Sequence, residues 1–370
     1  MILSSVSLRD FRSHISTSIK FNKGLNYIVG GNGQGKTSIL ESIYYLCTTK
    51  SNISRSDSEV IRFDQKDFEI QGRFNDLTTD TVKLLYSFSE NKKYYYLNEK
   101  LVNRTAEIIG RFPVVALTPA DHAITQGSPA ERRKLVDSII SQASSNYLFN
   151  LLDYNKMLRQ RSSLLSKLRE FRNTVELDEL ESWTERLIKT GTEIIKQRKK
   201  FIESYNEYVK NSYSQIMNNE EVPEIKYSSL ENYNNENTED KFTLLIKEKK
   251  DEEIRRGVNL VGPHRDEYIF EINGFNLKTF GSQGQNKTFQ SALRFAEFFY
   301  LKDITNKTPI FLLDDVFGEL DTFRATKISE YLKNVGQAFI TLTDFTNFSF
   351  LTKDENDILI KLQNGNIIYA

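Results

Sequence analysis

Gly30-Gly31-Asn32-Gly33-Gln34-Gly35-Lys36-Thr37 decides how the rest of this 370-residue chain is read. Before it runs Leu25-Asn26-Tyr27-Ile28-Val29, an apolar strand. After it, Thr37-Ser38-Ile39-Leu40-Glu41-Ser42-Ile43-Tyr44-Tyr45-Leu46 carries apolar residues at helical spacing. A strand, a glycine loop and a helix start form an anion cradle, because glycines let backbone N–H groups close on phosphates and the helix dipole favours negative charge. The G-x-x-x-x-G-K-[ST] spacing predicts a nucleoside triphosphate site made by Gly30, Gly31, Asn32, Gly33, Gln34, Gly35, Lys36, Thr37 and Ser38. Lys36 reaches the β- and γ-phosphates, and the Thr37 hydroxyl is a ligand for Mg²⁺.

A second half-site lies far along the chain. Ile310-Phe311-Leu312-Leu313 followed by Asp314-Asp315 reads as a buried parallel strand with carboxylates at its C-terminal end. On its own that pattern is common; beside a phosphate loop it is the expected partner. Asp314 then joins Thr37 as the metal set, and Asp315 acts as the catalytic residue that orients or deprotonates the attacking water.

Gly281-Ser282-Gln283-Gly284-Gln285 precedes Phe289, Ala292, Leu293, Ala296, Phe299 and Tyr300, which are spaced as an amphipathic helix. A serine, a glycine and free N–H groups at a helix start make a second anion-binding surface. One nucleotide already has its cradle at residues 30 to 37, so the second surface makes sense if two copies face each other. Ser282, Gly284 and Gln285 are then expected to contact the nucleotide of the opposite subunit. Glu319-Leu320-Asp321 follows the acidic strand, where Glu319 and Asp321 are expected in a dimer-contact loop.

The order of phosphate loop, S-x-G-Q, D-D strand end and E-L-D resembles the ABC-type ATPase heads of the SMC group. Leu8-Arg9-Asp10-Phe11-Arg12, Leu117-Thr118-Pro119-Ala120-Asp121-His122, Gly127-Ser128-Pro129-Ala130-Glu131-Arg132-Arg133 and Gly262-Pro263-His264-Arg265-Asp266 resemble the RecF family within it. The likeness runs from near residue 1 to beyond 340 and is thinnest between 145 and 255. Asn286-Lys287 stands where the family usually shows glutamine and arginine, and Gly318 where a serine is common. The resemblance implies an α/β fold: a P-loop ATPase head with a mixed sheet plus an antiparallel β layer, and an inserted helical lobe carrying a short, coiled-coil-like antiparallel hairpin. It also implies ATP and Mg²⁺ as cofactors, an ATP-bound homodimer on gapped or junction DNA, a RecR partner and, indirectly, RecA. The implied work is DNA repair, replication restart and SOS induction. Asp315 is one methylene shorter than the glutamate common at this position in related ATPases, so weak DNA-stimulated ATP hydrolysis, serving as a timer, is expected.

A hydrophobic fraction of 39% beside 27% charged residues fits a globular chain. There is no apolar run long enough for a membrane span and no signal-peptide pattern, so a cytoplasmic protein is expected. The single cysteine, Cys47, permits no disulfide within the chain and falls on the helix after the phosphate loop, where packing is its expected role. A formal net charge of +0 means that DNA binding must use local patches.

The spacing predicts three parts: 1–127 and 256–370 as the two parts of the head, and 128–255 as the inserted lobe. Ile2, Val6 and Leu8, then Ile15, Ile19 and Phe21, are expected on the inner faces of the first strands. Further strands fall at 68–74, 82–88, 94–97 and 113–117, with Tyr94-Tyr95-Tyr96 read as packing. Ser128-Pro129-Ala130-Glu131 is a helix start with a capping box. Helical stretches at about 146–172 and 178–215, joined by a polar turn at Asn173 and Thr174, form the hairpin. A flexible loop is expected from Glu231 to Asn237.

Positive charge gathers on the hairpin, at Lys156, Arg159, Arg161, Lys167, Arg169 and Arg172 on one arm and at Lys189, Lys196, Arg198, Lys199 and Lys200 on the other. Lys196, Arg198, Lys199 and Lys200 are the candidate DNA contacts, insensitive to sequence because they address phosphates. A structural SMC-type clamp requires arms hundreds of residues long, and a transporter motor requires coupling-helix surfaces and a glutamate where Asp315 stands. A GTPase requires an N-K-x-D strand end, which this chain lacks.

Overall fold

The computed structural model describes residues 1–171, 174–217, 220–230, 237–345, 351, 353–363 and 366–369. The expected turn at Asn173, the basic residue Arg172 and most of the loop expected after Glu231 lie outside those residues. The chain divides into two compact units: Met1–His122 with Tyr208–Glu221 and Gln283–Ala370, and Ala123–Glu207 with Val222–Ser282.

The first unit is built on a six-stranded mixed sheet. Its order is Asn366–Tyr369, Ile358–Gln363, Leu25–Val29, Ala338–Leu342, Ile310–Leu313, Val114–Leu117, all parallel except the Asn366–Tyr369 edge. Four adjacent strands, from Leu25–Val29 to the Val114–Leu117 edge, are buried along their full length, as parallel strands covered on both faces are. The strand before the phosphate loop lies between two strands from the far end of the sequence, and the acidic strand lies one place further on. That arrangement carries the two half-sites to the same edge of one sheet.

A second, antiparallel sheet of the same unit runs His14–Lys20, Ile2–Phe11, Asp67–Asn75, Thr79–Ser87, Lys92–Leu97, Lys100–Leu101. Its inner residues Leu3, Val6, Leu8, Phe68, Ile70 and Leu84 share one core with Ile39, Ile43 and Leu46 of the helix Lys36–Thr48. Tyr95 is the buried member of the tyrosine triplet, and its hydroxyl donates to the Leu46 carbonyl at 2.6 Å. Cys47 is buried in this core, and burial pushes its thiol pKa up. Two expected inner positions are corrected. A register shift between Leu3 and Ser5 turns Leu3 inward instead of Ile2. Asp10 and Arg12 have left-handed backbones (φ 50° and 55°), which breaks the alternation at the hairpin, so Phe11 and His14 turn in and Ile15 is 65% exposed.

The second unit contains the helices Pro129–Ala143 and Ser145–Glu170, the long helix Thr174–Ile216 up to residue 207, the helix Thr238–Arg256 and a three-stranded sheet. Pro129 begins its helix as expected, but Ser128 makes no side-chain cap. The hairpin arms do not stand alone. Leu164, Leu165 and Leu168 of the first arm, Leu180 of the second and Ile254 of the helix Thr238–Arg256 form one small core. Asn237 caps that third helix through the Glu239 amide, and Gly257 ends it at φ 70°.

Unit boundaries differ from those expected for two physical reasons. Glu267–Ile272 pairs with Pro223–Ser228, which keeps 256–282 with the helical unit. Tyr208 donates to Asp303 at 2.9 Å and Tyr213 meets Phe289 edge-on, which keeps 208–221 with the sheet unit. Among the described residues, no helix is long and apolar enough to cross a membrane.

Candidate nucleotide site

Gly33 and Gly35 take left-handed conformations (φ 78° and 88°), which turn the loop into the N-terminus of the helix Lys36–Thr48. Gly35 occupies the N-cap position and supplies no side chain, so the first amides of the helix have no side-chain acceptor there. The Lys36 ammonium folds back and donates to the carbonyls of Gly30 (2.7 Å) and Gly31 (3.0 Å). Burial lowers its pKa, and Asp315 and Asp314 pull the other way.

Across the loop, the Thr37 hydroxyl donates to Asp314 Oδ1 at 2.9 Å, joining residues 277 positions apart. Thr341 donates to the same oxygen at 2.7 Å, and its own Oγ1 accepts the Asp315 amide at 2.8 Å. Burial raises the Asp314 pKa, opposed first by the hydroxyls of Thr341 and Thr37. Asp315 is exposed and left-handed (φ 49°), a conformation that turns the chain sharply at the strand end. Arg12, Ser13, Asn32, Gly33, Gly35, Lys36, Thr37, Ser38, Asp314, Asp315 and Thr341 line one cleft of about 380 Å³. A hydroxyl and a carboxylate converging beside a triphosphate cradle are the hard oxygen donors that Mg²⁺ requires.

Two members of this cleft, Arg12 and Thr341, and one residue behind it, His14, were not foreseen. Arg12 makes a two-pronged pair with the buried Glu41 (both contacts 2.8 Å). The His14 ring meets the Gly35 carbonyl at 3.1 Å. Thr341 follows no motif and takes its place through strand order.

The other expected residues fall as follows. Ser282 is exposed and directly precedes the helix Gln283–Thr305. Gly284 lies against the Arg324 guanidinium; a Cβ there would come within 2.7 Å of it. Arg324 donates to Thr288 at 2.8 Å and pairs with Asp321. Asp321 also caps the helix Thr322–Leu332, and the Arg324 backbone amide lowers its pKa. Lys287 donates to the Glu319 carbonyl, which ties the E-L-D segment to the preceding helix. Gln285 donates to Glu221 at 2.7 Å. Among the basic candidates, Lys196, Lys199 and Lys200 are exposed.

Arg198 is corrected. It is 2% exposed, forms a two-pronged contact with Asp137 (2.8 and 2.9 Å) and reaches Asp266 at 2.8 Å, so the structure removes it from any DNA-contact set. Arg161 on the first arm is likewise buried, against Glu253 at 2.6 Å.

A parallel sheet that carries a phosphate loop on one strand and a carboxylate pair on another, joined to an antiparallel layer, defines an ABC-type ATPase head of the SMC kind. The sequence matches the family described as RecF/RecN/SMC N terminal domain over residues 2–365, and the chain belongs to that family. It is 39% identical over 358 residues to the DNA replication and repair protein RecF of Chloroherpeton thalassium, covering 94% of this chain and 96% of that protein. With the Salinibacter ruber protein of the same name, identity is 37% over 352 residues, covering 93% and 85%. A solved structure of the recombination mediator protein RecF-ATP in the RecFOR pathway superposes with a TM-score of 0.89 at 31% identity, covering 100% of this chain and 97% of that one. An Smc head domain from Pyrococcus furiosus, bound to the C-terminal domain of ScpA, shares the fold alone, with a TM-score of 0.57 at 17% identity.

Proposed function

We propose that this chain is an ATP-dependent recombination mediator of the RecF type that closes as a homodimer on gapped or junction DNA and supports RecA loading, with RecR as a partner. The observation that carries the reading is the Thr37–Asp314 contact, made across 277 positions at the mouth of a complete phosphate loop. The residue identities and the relatives named RecF support the same reading.

Lys36 exchanges its two loop carbonyls for phosphate oxygens. A charge-assisted contact is roughly twice as strong as a neutral one, so the exchange favours the ligand. Thr37 and Asp314 would hold Mg²⁺, which supplies charge neutralisation at the β- and γ-phosphates when bound. Asp315, exposed beside them, positions water. Ser282, Gly284 and Gln285, with Glu319 and Asp321, face the nucleotide of a second copy. Lys196, Lys199 and Lys200 contact DNA phosphates without reading sequence.

Light scattering with ATP, ADP or no nucleotide, each with and without duplex DNA, tests the reading. A dimer only with ATP, retained longer on DNA, is the expected result, and Asp315→Asn should prolong it. A mass independent of nucleotide would overturn the proposal.

A further inference from the structure

His14 has no part in the phosphate-loop pattern, yet it is 5% exposed and lies directly against the loop. Its Nε2 is 3.1 Å from the Gly35 carbonyl, and its Nδ1 is 3.0 Å from the Thr17 hydroxyl. A carbonyl only accepts, so Nε2 carries the proton. In the neutral ring, Nδ1 then accepts from Thr17. Burial favours that neutral form, lowering the pKa of the ring against the opposite pull of the Gly35 carbonyl. The result is a directed chain of donors from Thr17 to His14 to Gly35.

Contact with Gly35 is close enough to constrain the loop. A Cβ on Gly35 would fall 2.6 Å from His14 Nε2 and 2.8 Å from Ser13 Oγ. The same carbonyl accepts the Ile39 amide at 3.2 Å, the first turn of the helix. The imidazole therefore fixes the peptide whose left-handed turn aims the last loop amides and Lys36. Asp10 and Arg12, left-handed on either side of Phe11, break the alternation of the hairpin where His14 turns inward.

We infer that His14 is a positioning residue for the nucleotide cradle: its Nε2–H holds the Gly35 carbonyl, and Thr17 sets the ring, so that triphosphate affinity depends on the imidazole without its touching the ligand. This inference rests on the ATP reading above and extends it to a residue outside the loop.

Titration with a fluorescent ATP analogue, alongside thermal unfolding, tests it. His14→Leu should weaken binding about tenfold, the size of one net hydrogen bond, at a melting temperature close to the parent's. His14→Gln, whose amide can donate to the same carbonyl, should restore affinity to within about twofold of the parent. Thr17→Val, which keeps the ring and frees its orientation, should weaken binding by about threefold. Leu binding as well as the parent, or Gln binding as poorly as Leu, overturns the proposal. If His14→Leu does not fold, unchanged affinity in Thr17→Val overturns it. Lys36→Ala separates the two levels: a parent that binds no better than Lys36→Ala removes the ATP reading and this inference with it. A binding parent beside an unaffected His14→Leu removes this inference alone.

Discussion

Lys36 in the sheet unit and Arg198 in the helical unit are both buried cations near paired carboxylates, and they are held in opposite ways. Arg198 donates to Asp137, Asp266 and the Pro263 carbonyl, so its fork is filled by this chain. Lys36 rests on two neutral carbonyls, which are weaker partners than the anion its loop is shaped to receive. A saturated charge fixes a fold, and a charge held by replaceable partners leaves room for a ligand. The same distinction separates Asp266, which is crowded by Arg198 and Tyr227, from the exposed Asp315.

The largest effect should come from the saturated side. Arg198→Met leaves Asp137 and Asp266 without their cation, and breaking a buried pair in this way costs about 3–5 kcal/mol. Urea unfolding should show that loss, and a loss below about 1 kcal/mol would mean that the network is dispensable.

Next is His264, held between the Tyr154 hydroxyl (2.8 Å) and the Asn259 carbonyl (3.3 Å). Its pKa is lowered to about 4, chiefly by burial, with the Asn259 carbonyl opposing and Arg265 adding to the shift. The unfolded chain takes the proton first, so this contribution to stability is complete above about pH 6.5 and is lost as pH falls towards about 4. The loss is on the order of 3 kcal/mol. His264→Gln should flatten stability against pH across that window relative to the parent, and an equal slope would remove the assignment.

Lys36→Ala tests the replaceable side. ATP affinity should fall on the order of a hundredfold, in line with a contact to a charged group, while urea stability falls by no more than about 1–2 kcal/mol, short of the Arg198→Met loss. Equal affinity in calorimetry would remove the ATP reading of the loop. The smallest effect is expected for Lys196, Lys199 and Lys200. Replacing each with alanine should lower the slope of log DNA affinity against log salt by roughly 0.9 per lost phosphate contact. An unchanged slope would return all three to ordinary solvated positions.

The two halves of the candidate site were legible because each is a local pattern: a glycine spacing suited to an anion cradle, and a strand ending in carboxylates. Strand order was not legible, and with it went Thr341, whose hydroxyl completes the Asp314 environment. Arg198 reads as surface in sequence because it stands among Lys196, Lys199 and Lys200, and its carboxylate partners are 61 and 68 positions away. The helix Thr238–Arg256 escaped notice because Lys247-Glu248-Lys249-Lys250-Asp251-Glu252-Glu253 dilutes its apolar spacing; Asn237 and Gly257 were the available signals. His14 was hidden by backbone conformation, since regular alternation would have placed Ile15 inward.

The strand Leu25–Val29 has one neighbour at Ala338–Leu342 and the other at Ile358–Gln363. During synthesis it therefore waits for both. At about 5–20 residues per second, the roughly 300 residues in between take about 15–60 seconds to emerge. Until then the phosphate loop follows a strand with no parallel neighbour on either side. A chain that ends before Ala338 would carry the whole phosphate-loop sequence without either of the strands that flank Leu25–Val29.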